Sequence, residues 1–159
     1  LLEDSKGTFF SGEEIARTLQ VSRAAVWKAV NALREDGYTV DAATNKGYRL
    51  SPDSDILSPQ GIRRFLKPEY RDLDLTVLPT APSTNALVRE KANQGRPEGC
   101  IIIACEQTAG RGRYGRQFFS PVDSGVYLSL LLRPTTYSPQ QATCLTAAAA
   151  AASSRFFRA

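Results

Sequence analysis

In the first fifty residues apolar positions recur at helical spacing in two short runs and then shorten into strand-like alternation. Ile15, Ala16 and Leu19 share one side of a helix that Ser11 is placed to cap. Glu13 and Glu14 occupy its first turn, where negative charge suits the helix dipole. This helix is predicted to end near Gln20. Ser22 is placed to cap a second helix running to about Asp36, and Gly37 supplies a left-handed residue to stop it. At about 100° per residue, Val26, Ala29, Val30 and Leu33 project inward, while Ala24, Lys28 and Asn31 project outward with Arg23 near the N-terminal end. Trp27 falls on the flank and reads as core packing rather than as a surface for stacking on nucleotides. Tyr38-Thr39-Val40-Asp41, a polar turn over 42–46, and Gly47-Tyr48-Arg49-Leu50 then read as two short strands. The chain itself opens on Leu1-Leu2 in what reads as a helix.

Ser51-Pro52-Asp53-Ser54-Asp55 has the composition of a short linker. Beyond it, a short helix is predicted over 59–66 and a strand over 73–78 that enters Pro79-Thr80-Ala81-Pro82. Ser83 or Thr84 can cap a helix over 85–94, and in isolation this pair is simply an N-cap. The β-branched run over 101–106 reads as a strand buried on both faces, and 125–132 as a sheet-core strand. Pro139 then opens an alanine-rich helix to about Ser153. Strands and helices are intermixed, so this part is α/β or α+β.

Composition narrows the chemistry. With 159 residues the chain has room for one ordinary domain or two small ones, and is short for a complete multi-substrate enzyme. The absence of histidine removes His-based triads and most zinc sites, and three dispersed cysteines form no metal-ligand cluster, so no metal site is expected. Cys100 and Cys105 read as small buried hydrophobes in a reducing cytoplasm. The apolar run over 145–152 is too short to span a bilayer, and no export signal precedes the first helix. No methionine is present, so an N-terminal trim is expected. The net charge of +4 is uneven: residues 1–50 hold seven basic and seven acidic groups, the remainder thirteen and nine. Nucleic-acid binding by the first half must therefore rest on where its charges sit.

Their placement suits a recognition helix. An exposed Asn can pair bidentately with adenine, and Arg or Lys can contact guanine or phosphate in the major groove. Ser22, Arg23, Ala24, Lys28 and Asn31 on the helix, with Lys46 in the following turn, are the candidate DNA contacts. The alternative is an ordinary helical hairpin with a solvated face; the strand pair behind it, in the position of a wing, favours DNA. The second feature is Gln107-Thr108-Ala109-Gly110-Arg111-Gly112-Arg113-Tyr114-Gly115-Arg116. It matches the letters of a dinucleotide-binding turn, but no helix follows it, since Phe118-Phe119-Ser120-Pro121 comes next. Three arginines on a glycine-rich loop offer permanent charge to phosphate or carboxylate. Such a loop is expected to be mobile until an anion neutralises it. Its position directly after a buried strand favours an active-site loop over an exposed basic contact to nucleic acid.

These residues together resemble the bifunctional biotin protein ligases of the BirA family, which double as biotin operon repressors. The resemblance covers nearly the whole chain. Its markers are SRAAVWKAVNALREDGY, the ending NKGYRL, the STN turn at Ser83 to Asn85, and EQTAGRGRYGR followed by FFSP and GVYLSLLLRP. It implies an α+β chain: a winged helix-turn-helix over 1–50, a linker over 51–55, and over 56–159 an incomplete ligase-type α/β domain with a mixed sheet. It implies formation of biotinyl-5′-adenylate from biotin and ATP, with Mg²⁺ accompanying ATP, and transfer of biotin to a lysine of a carboxylase carrier domain. Ser83, Thr84, Asn85, Gln107, Gly110, Arg111, Gly112 and Arg113 correspond to the biotin site, and Arg111, Arg113 and Arg116 to the catalytic charge. Operator DNA, the carrier protein and a second copy are the implied partners, in the cytoplasm and without a membrane.

Two departures stand out. Phe118 replaces the family's usual Trp, and no lysine follows Lys91, whereas the family's catalytic lysine lies downstream in a Lys-Trp-Pro-Asn-Asp motif. The expectation is a fragment, inactive alone, whose exposed strand edges favour aggregation. Rival readings are a winged-helix regulator that senses biotin or its adenylate without catalysis, and a lipoate or related acyl ligase.

Overall fold

The computed structural model describes residues 1–122, 124–136, 138, 141 and 143–156. In the N-terminal part, α1 (Gly12–Leu19) begins where the Ser11 hydroxyl accepts the Glu14 N–H at 3.0 Å, and ends at Gln20 with φ 55°. Next, α2 (Arg23–Glu35) begins where the Ser22 hydroxyl accepts the Ala25 N–H at 3.1 Å, and Gly37 follows it at φ 90°. The strands β1 (Val40–Ala43) and β2 (Gly47–Leu50) pair antiparallel, Val40 opposite Leu50 and Ala43 opposite Gly47. Ala42 and Ala43 thus belong to the ladder, and the turn is shorter than the sequence suggests, with Asn45 left-handed at φ 62°.

Ile15, Ala16, Val26, Val30, Val40 and Leu50 form the core of this part, with Leu2, Phe10, Leu33, Tyr38 and Tyr48 packed against it. Three expectations of a wider apolar face fail. Leu19 is 55% exposed, Trp27 58% exposed, and Ala29 is also exposed. The strand pair and α1 meet α2 along the narrow Val26–Val30 stripe, so neighbours of that stripe stay in solvent. Leu1 has no regular structure and Leu2 begins a run of turns in place of the expected helix, and Leu2 closes the core from outside. The Arg34 guanidinium donates through Nε and Nη2 to the Val40 carbonyl at 3.0 and 2.8 Å, pinning β1 to the end of α2.

The segment 51–55 packs against its surroundings. Ser51 and Ser54 are buried, the Ser51 N–H donates to Thr39 O at 2.8 Å, and Lys6 Nζ donates to Ser54 O at 2.7 Å. Ser58 donates to Glu3 at 3.1 Å and caps the short α3 (Pro59–Arg63).

The remainder is built on a three-stranded mixed sheet. β3 (Leu75–Ala81) pairs parallel with β4 (Ile101–Gln107), and β4 pairs antiparallel with β5 (Tyr127–Leu130). A parallel pair needs a crossover, supplied by α4 (Thr84–Asn93), whose Val88 and Leu87 pack with Leu78, Cys100, Ile102 and Leu131. β3 runs through Pro79 instead of ending before it. It lies at the sheet's edge, and Pro79, lacking an N–H, takes no part in the ladder between the Leu78–Ala104 and Thr80–Glu106 pairs. β5 is shorter than expected and is an edge strand, not a core one: Leu128 and Leu130 are 57% and 44% exposed. The last helix, α5 (Thr143–Phe156), extends beyond the predicted Ser153, while Pro139 lies outside the described residues. Helices and a mixed sheet give the α+β class expected from sequence.

Candidate functional site

The C-terminal ends of β3 and β4 lie side by side, Ala81 opposite Gln107, and the chain leaves each strand into a polar segment. After β3, Ser83 caps α4, its hydroxyl accepting the Ala86 N–H at 3.4 Å. After β4, the Gln107 carboxamide reaches across. Its Oε1 accepts the Thr84 N–H at 2.8 Å and the Thr84 hydroxyl at 3.2 Å, and its Nε2 donates to the Ser120 hydroxyl at 3.2 Å. Ser120 in turn donates to Phe118 O at 3.2 Å, and the Thr84 and Ser129 hydroxyls lie 2.9 Å apart. Ser83, Thr84 and Ser120 are buried.

This cluster is polar, pre-aligned and built at the N-terminus of a helix. It combines hydroxyl and amide groups that can both donate and accept, the complement of a small ligand bearing N–H and C=O groups. Burial makes the partial satisfaction of these groups costly, so they hold one another in fixed directions. Gly110 closes the cluster's floor. A Cβ there would lie 2.6 Å from Phe118 O and 3.0 Å from the Ser120 hydroxyl, so only glycine lets the backbone approach.

The glycine-arginine segment folds back as a narrow hairpin. Phe118 N–H donates to Gly110 O at 2.9 Å, Gly112 N–H to Arg116 O at 2.7 Å, and Gln107 N–H to Ser120 O at 3.0 Å. Arg113 opens the 3-10 turn Arg113–Gly115 at its tip, with Tyr114 and Gly115 both at positive φ. Arg111 and Arg116 are exposed on the hairpin beside the cluster. Of the residues singled out in the sequence, Ser83, Thr84, Gln107 and Gly110 come together in the cluster, whereas Arg111, Gly112, Arg113 and Arg116 form the adjoining hairpin. Asn85 is exposed and stands outside the cluster. Sequence reasoning missed Ser120 and Ser129. Ser120 is an unremarkable serine in the 118–121 segment and Ser129 one in a strand-like run, and only the sheet register brings Ser129 beside β4 and Thr84. Among the described residues no three His, Cys, Asp or Glu side chains form a metal-binding group.

The second face is that of α2. Ser22, Arg23, Ala24 and Lys28 are exposed; Asn31 is half-buried, its Oδ1 accepting from Arg34 Nη1 at 3.5 Å. Lys46 is exposed at the turn, 6.0 Å from the Phe9 ring, and Arg49 lies 4.8 Å from that ring while pairing with Asp41 at 2.8 Å. An open groove runs between α2 and the strand pair, lined among others by Gly12, Arg23, Trp27, Asn45 and Tyr48. Trp27, Asn45 and Tyr48 were not among the expected contacts. No helix among the described residues is long and apolar enough to cross a membrane.

Comparison with known proteins agrees with both halves. Residues 1–49 match a family described as an HTH domain, and residues 77–157 match the biotin/lipoate A/B protein ligase family. The chain is 42% identical over 134 residues to the bifunctional ligase/repressor BirA of Bacillus subtilis (strain 168), covering 84% of this chain and 41% of that protein. It is 41% identical over 134 residues to the protein of that name from Bacillus spizizenii, with the same coverage. To the one from Escherichia coli (strain K12) it is 36% identical over 129 residues, covering 81% of this chain and 39% of the relative. The chain thus spans about two fifths of the length of these relatives. With a helix-turn-helix domain ahead of a matched sheet whose strand ends carry the Gln107–Thr84 cluster and the glycine-arginine hairpin, the chain belongs to the biotin/lipoate A/B protein ligase family.

Proposed function

We propose that this chain carries the operator-binding domain and the biotin-recognition part of a bifunctional biotin protein ligase and repressor, divided into a winged helix-turn-helix over 1–50, a linker over 51–55 and a ligase-type domain from 56 onward. The observation that carries the reading is the Gln107–Thr84–Ser129 hydrogen-bonded cluster at the strand ends, set against an arginine-bearing hairpin. A ureido ring presents two N–H donors and one carbonyl acceptor, which the Ser83, Thr84 and Gln107 groups match in kind.

The reaction this supports begins with a carboxylate oxygen of biotin attacking the α-phosphorus of ATP. A new acyl–phosphate bond forms, the bond from the α-phosphorus to the bridging oxygen breaks, and pyrophosphate leaves. One anion must approach another, so fixed positive charge is needed to suppress repulsion and to stabilise the crowded phosphorus centre. Arg111, Arg113 and Arg116 are the residues assigned to that charge, and Mg²⁺ enters with the triphosphate as part of the substrate. A carrier-domain lysine amine then attacks the acyl carbon and expels AMP. The arginines, left facing phosphate, favour retention of the adenylate until the carrier arrives. Operator DNA, the carrier and a second copy of the chain are the proposed partners, and the cytoplasm is the proposed location.

The test is binding of fluorescein-labelled biotin to the purified chain, read by anisotropy, with unlabelled competitors. Saturable binding displaced by biotin and not by lipoate, and weakened about tenfold or more by Gln107→Ala through the loss of buried hydrogen bonds, is the expected result. Equal displacement by lipoate, or an unaffected Gln107→Ala variant, overturns the assignment.

A further inference from the structure

The operator-binding reading leaves one feature unused: the exposed indole of Trp27, the chain's single tryptophan. It is 58% exposed and stands on a wall of the groove between α2 and the strand pair. With 3.6 residues per turn, Trp27 lies about 40° around α2 from both Arg23 and Asn31 and about 100° from Lys28, on the flank toward the strand pair. The opposite wall is Ala42, Ala43, Asn45 and Tyr48, and the end of the groove is the N-terminus of α1, where Ser11, Gly12 and the acidic Glu13 lie.

We propose that this groove holds one sugar-phosphate strand of a DNA duplex, with the Trp27 indole laid against a deoxyribose and Arg23 against the neighbouring phosphate. The inference rests on the operator-binding reading and deepens it. If the Ala24–Lys28 face of α2 enters the major groove and Lys46 reaches past its border, the strand that forms that border must cross between helix and turn. The groove offers what such a strand needs: Arg23 for charge, an apolar plate for the sugar, and amide and hydroxyl groups on Asn45, Tyr48 and Ser11. Trp27 is a neutral contact that strengthens binding without reading sequence. Loss of Arg23 and loss of Trp27 therefore have different signatures.

The experiment uses the whole chain and 30-base-pair duplexes of random sequence, alongside one duplex enriched by selection on the chain. Tryptophan emission shifts or quenches on addition of either duplex, since no other tryptophan contributes. Trp27→Ala weakens both duplexes by about tenfold and leaves the slope of log affinity against log salt unchanged, whereas Arg23→Ala lowers that slope by about one. Trp27→Phe restores most of the affinity, and circular dichroism checks that each variant stays folded. Duplex binding with unaltered emission, or a Trp27→Ala variant that binds like the parent, overturns the proposal and leaves operator binding intact. A loss confined to the enriched duplex overturns it by showing that Trp27 reads bases. Absence of duplex binding even at low salt overturns both this and the operator reading.

Discussion

At the scale of single residues, burial separates three cysteines that look equivalent in the sequence. Cys100 is buried just before β4, Cys105 is half-buried near its end, and Cys144 is exposed on α5. Burial first, and the nearby Asp74 carboxylate second, push the Cys100 thiol above its ordinary value of 9.0, with Lys91 and Arg96 acting in the opposite direction. Iodoacetamide at pH 8 should therefore label Cys144 first, Cys105 more slowly, and Cys100 only on unfolding, as read by peptide mass spectrometry. Labelling of Cys100 alongside Cys144 in the native chain would contradict this. The same shift links to stability. The folded state holds the Cys100 proton more tightly than the unfolded state, so the contribution is fully present below about pH 9. It is lost as the pH rises above that value toward the folded pKa. A Cys100→Ala variant should lose less stability on going to alkaline pH than the parent, in paired urea titrations.

Secondary-structure elements show what the sequence discloses and what it conceals. The two helix starts were legible because capping is local: Ser11 and Ser22 each need only the three residues that follow. The glycine-arginine segment was legible for the same reason, its glycines and charges being contiguous. The exposure of Trp27 and Ala29 was not, because it depends on which stripe of α2 the strand pair and α1 cover, and that of Leu19 depends on how α1 meets its neighbours. Pro79 read as a stop because its place at a sheet edge is a fact of topology. Ser120 and Ser129 join the cluster through register alone. One such long-range contact gives a sharp prediction. Gly47 sits at φ 95°, and a Cβ on it would overlap the Phe10 carbonyl, the group that accepts the Tyr48 N–H at 2.9 Å. Phe10 and Tyr48 form the bridge that ties β2 to the start of α1. Gly47→Ala should therefore cost on the order of 2 kcal/mol or more, by combining a disfavoured backbone region with displaced backbone. Far-UV circular dichroism in urea measures it; an unchanged midpoint would mean that the turn yields without disturbing the bridge.

For the molecule as a whole, the sheet is the exposed element. Among the described residues it has three strands, and β5 closes their order with one edge unpaired. Along β5 and its flanks, Val126, Leu128, Leu130 and Leu132 alternate on one side, each between 44% and 61% exposed. Antiparallel pairing places Leu128 and Leu130 opposite Ile103 and Ile101, so the stripe continues a sheet face whose centre is already apolar. Unpaired edge hydrogen-bonding groups beside such a stripe form a template for another chain, and there is no lysine on β5 to discourage it. The acidic and basic groups of the N-terminal half balance, so net repulsion between copies comes mainly from the basic surplus of the remainder, which salt screens. The purified 159-residue chain should therefore self-associate as concentration rises, and more readily in high salt than in low. Sedimentation velocity across a concentration series reads this directly. Leu128→Lys together with Leu130→Lys should return it to a single slow species, because two charges on the stripe make a dry face-to-face contact unfavourable. A parent chain that sediments as a monomer at every concentration and salt level would show that the stripe is too small, or too well shielded by side chains beside it, to drive association.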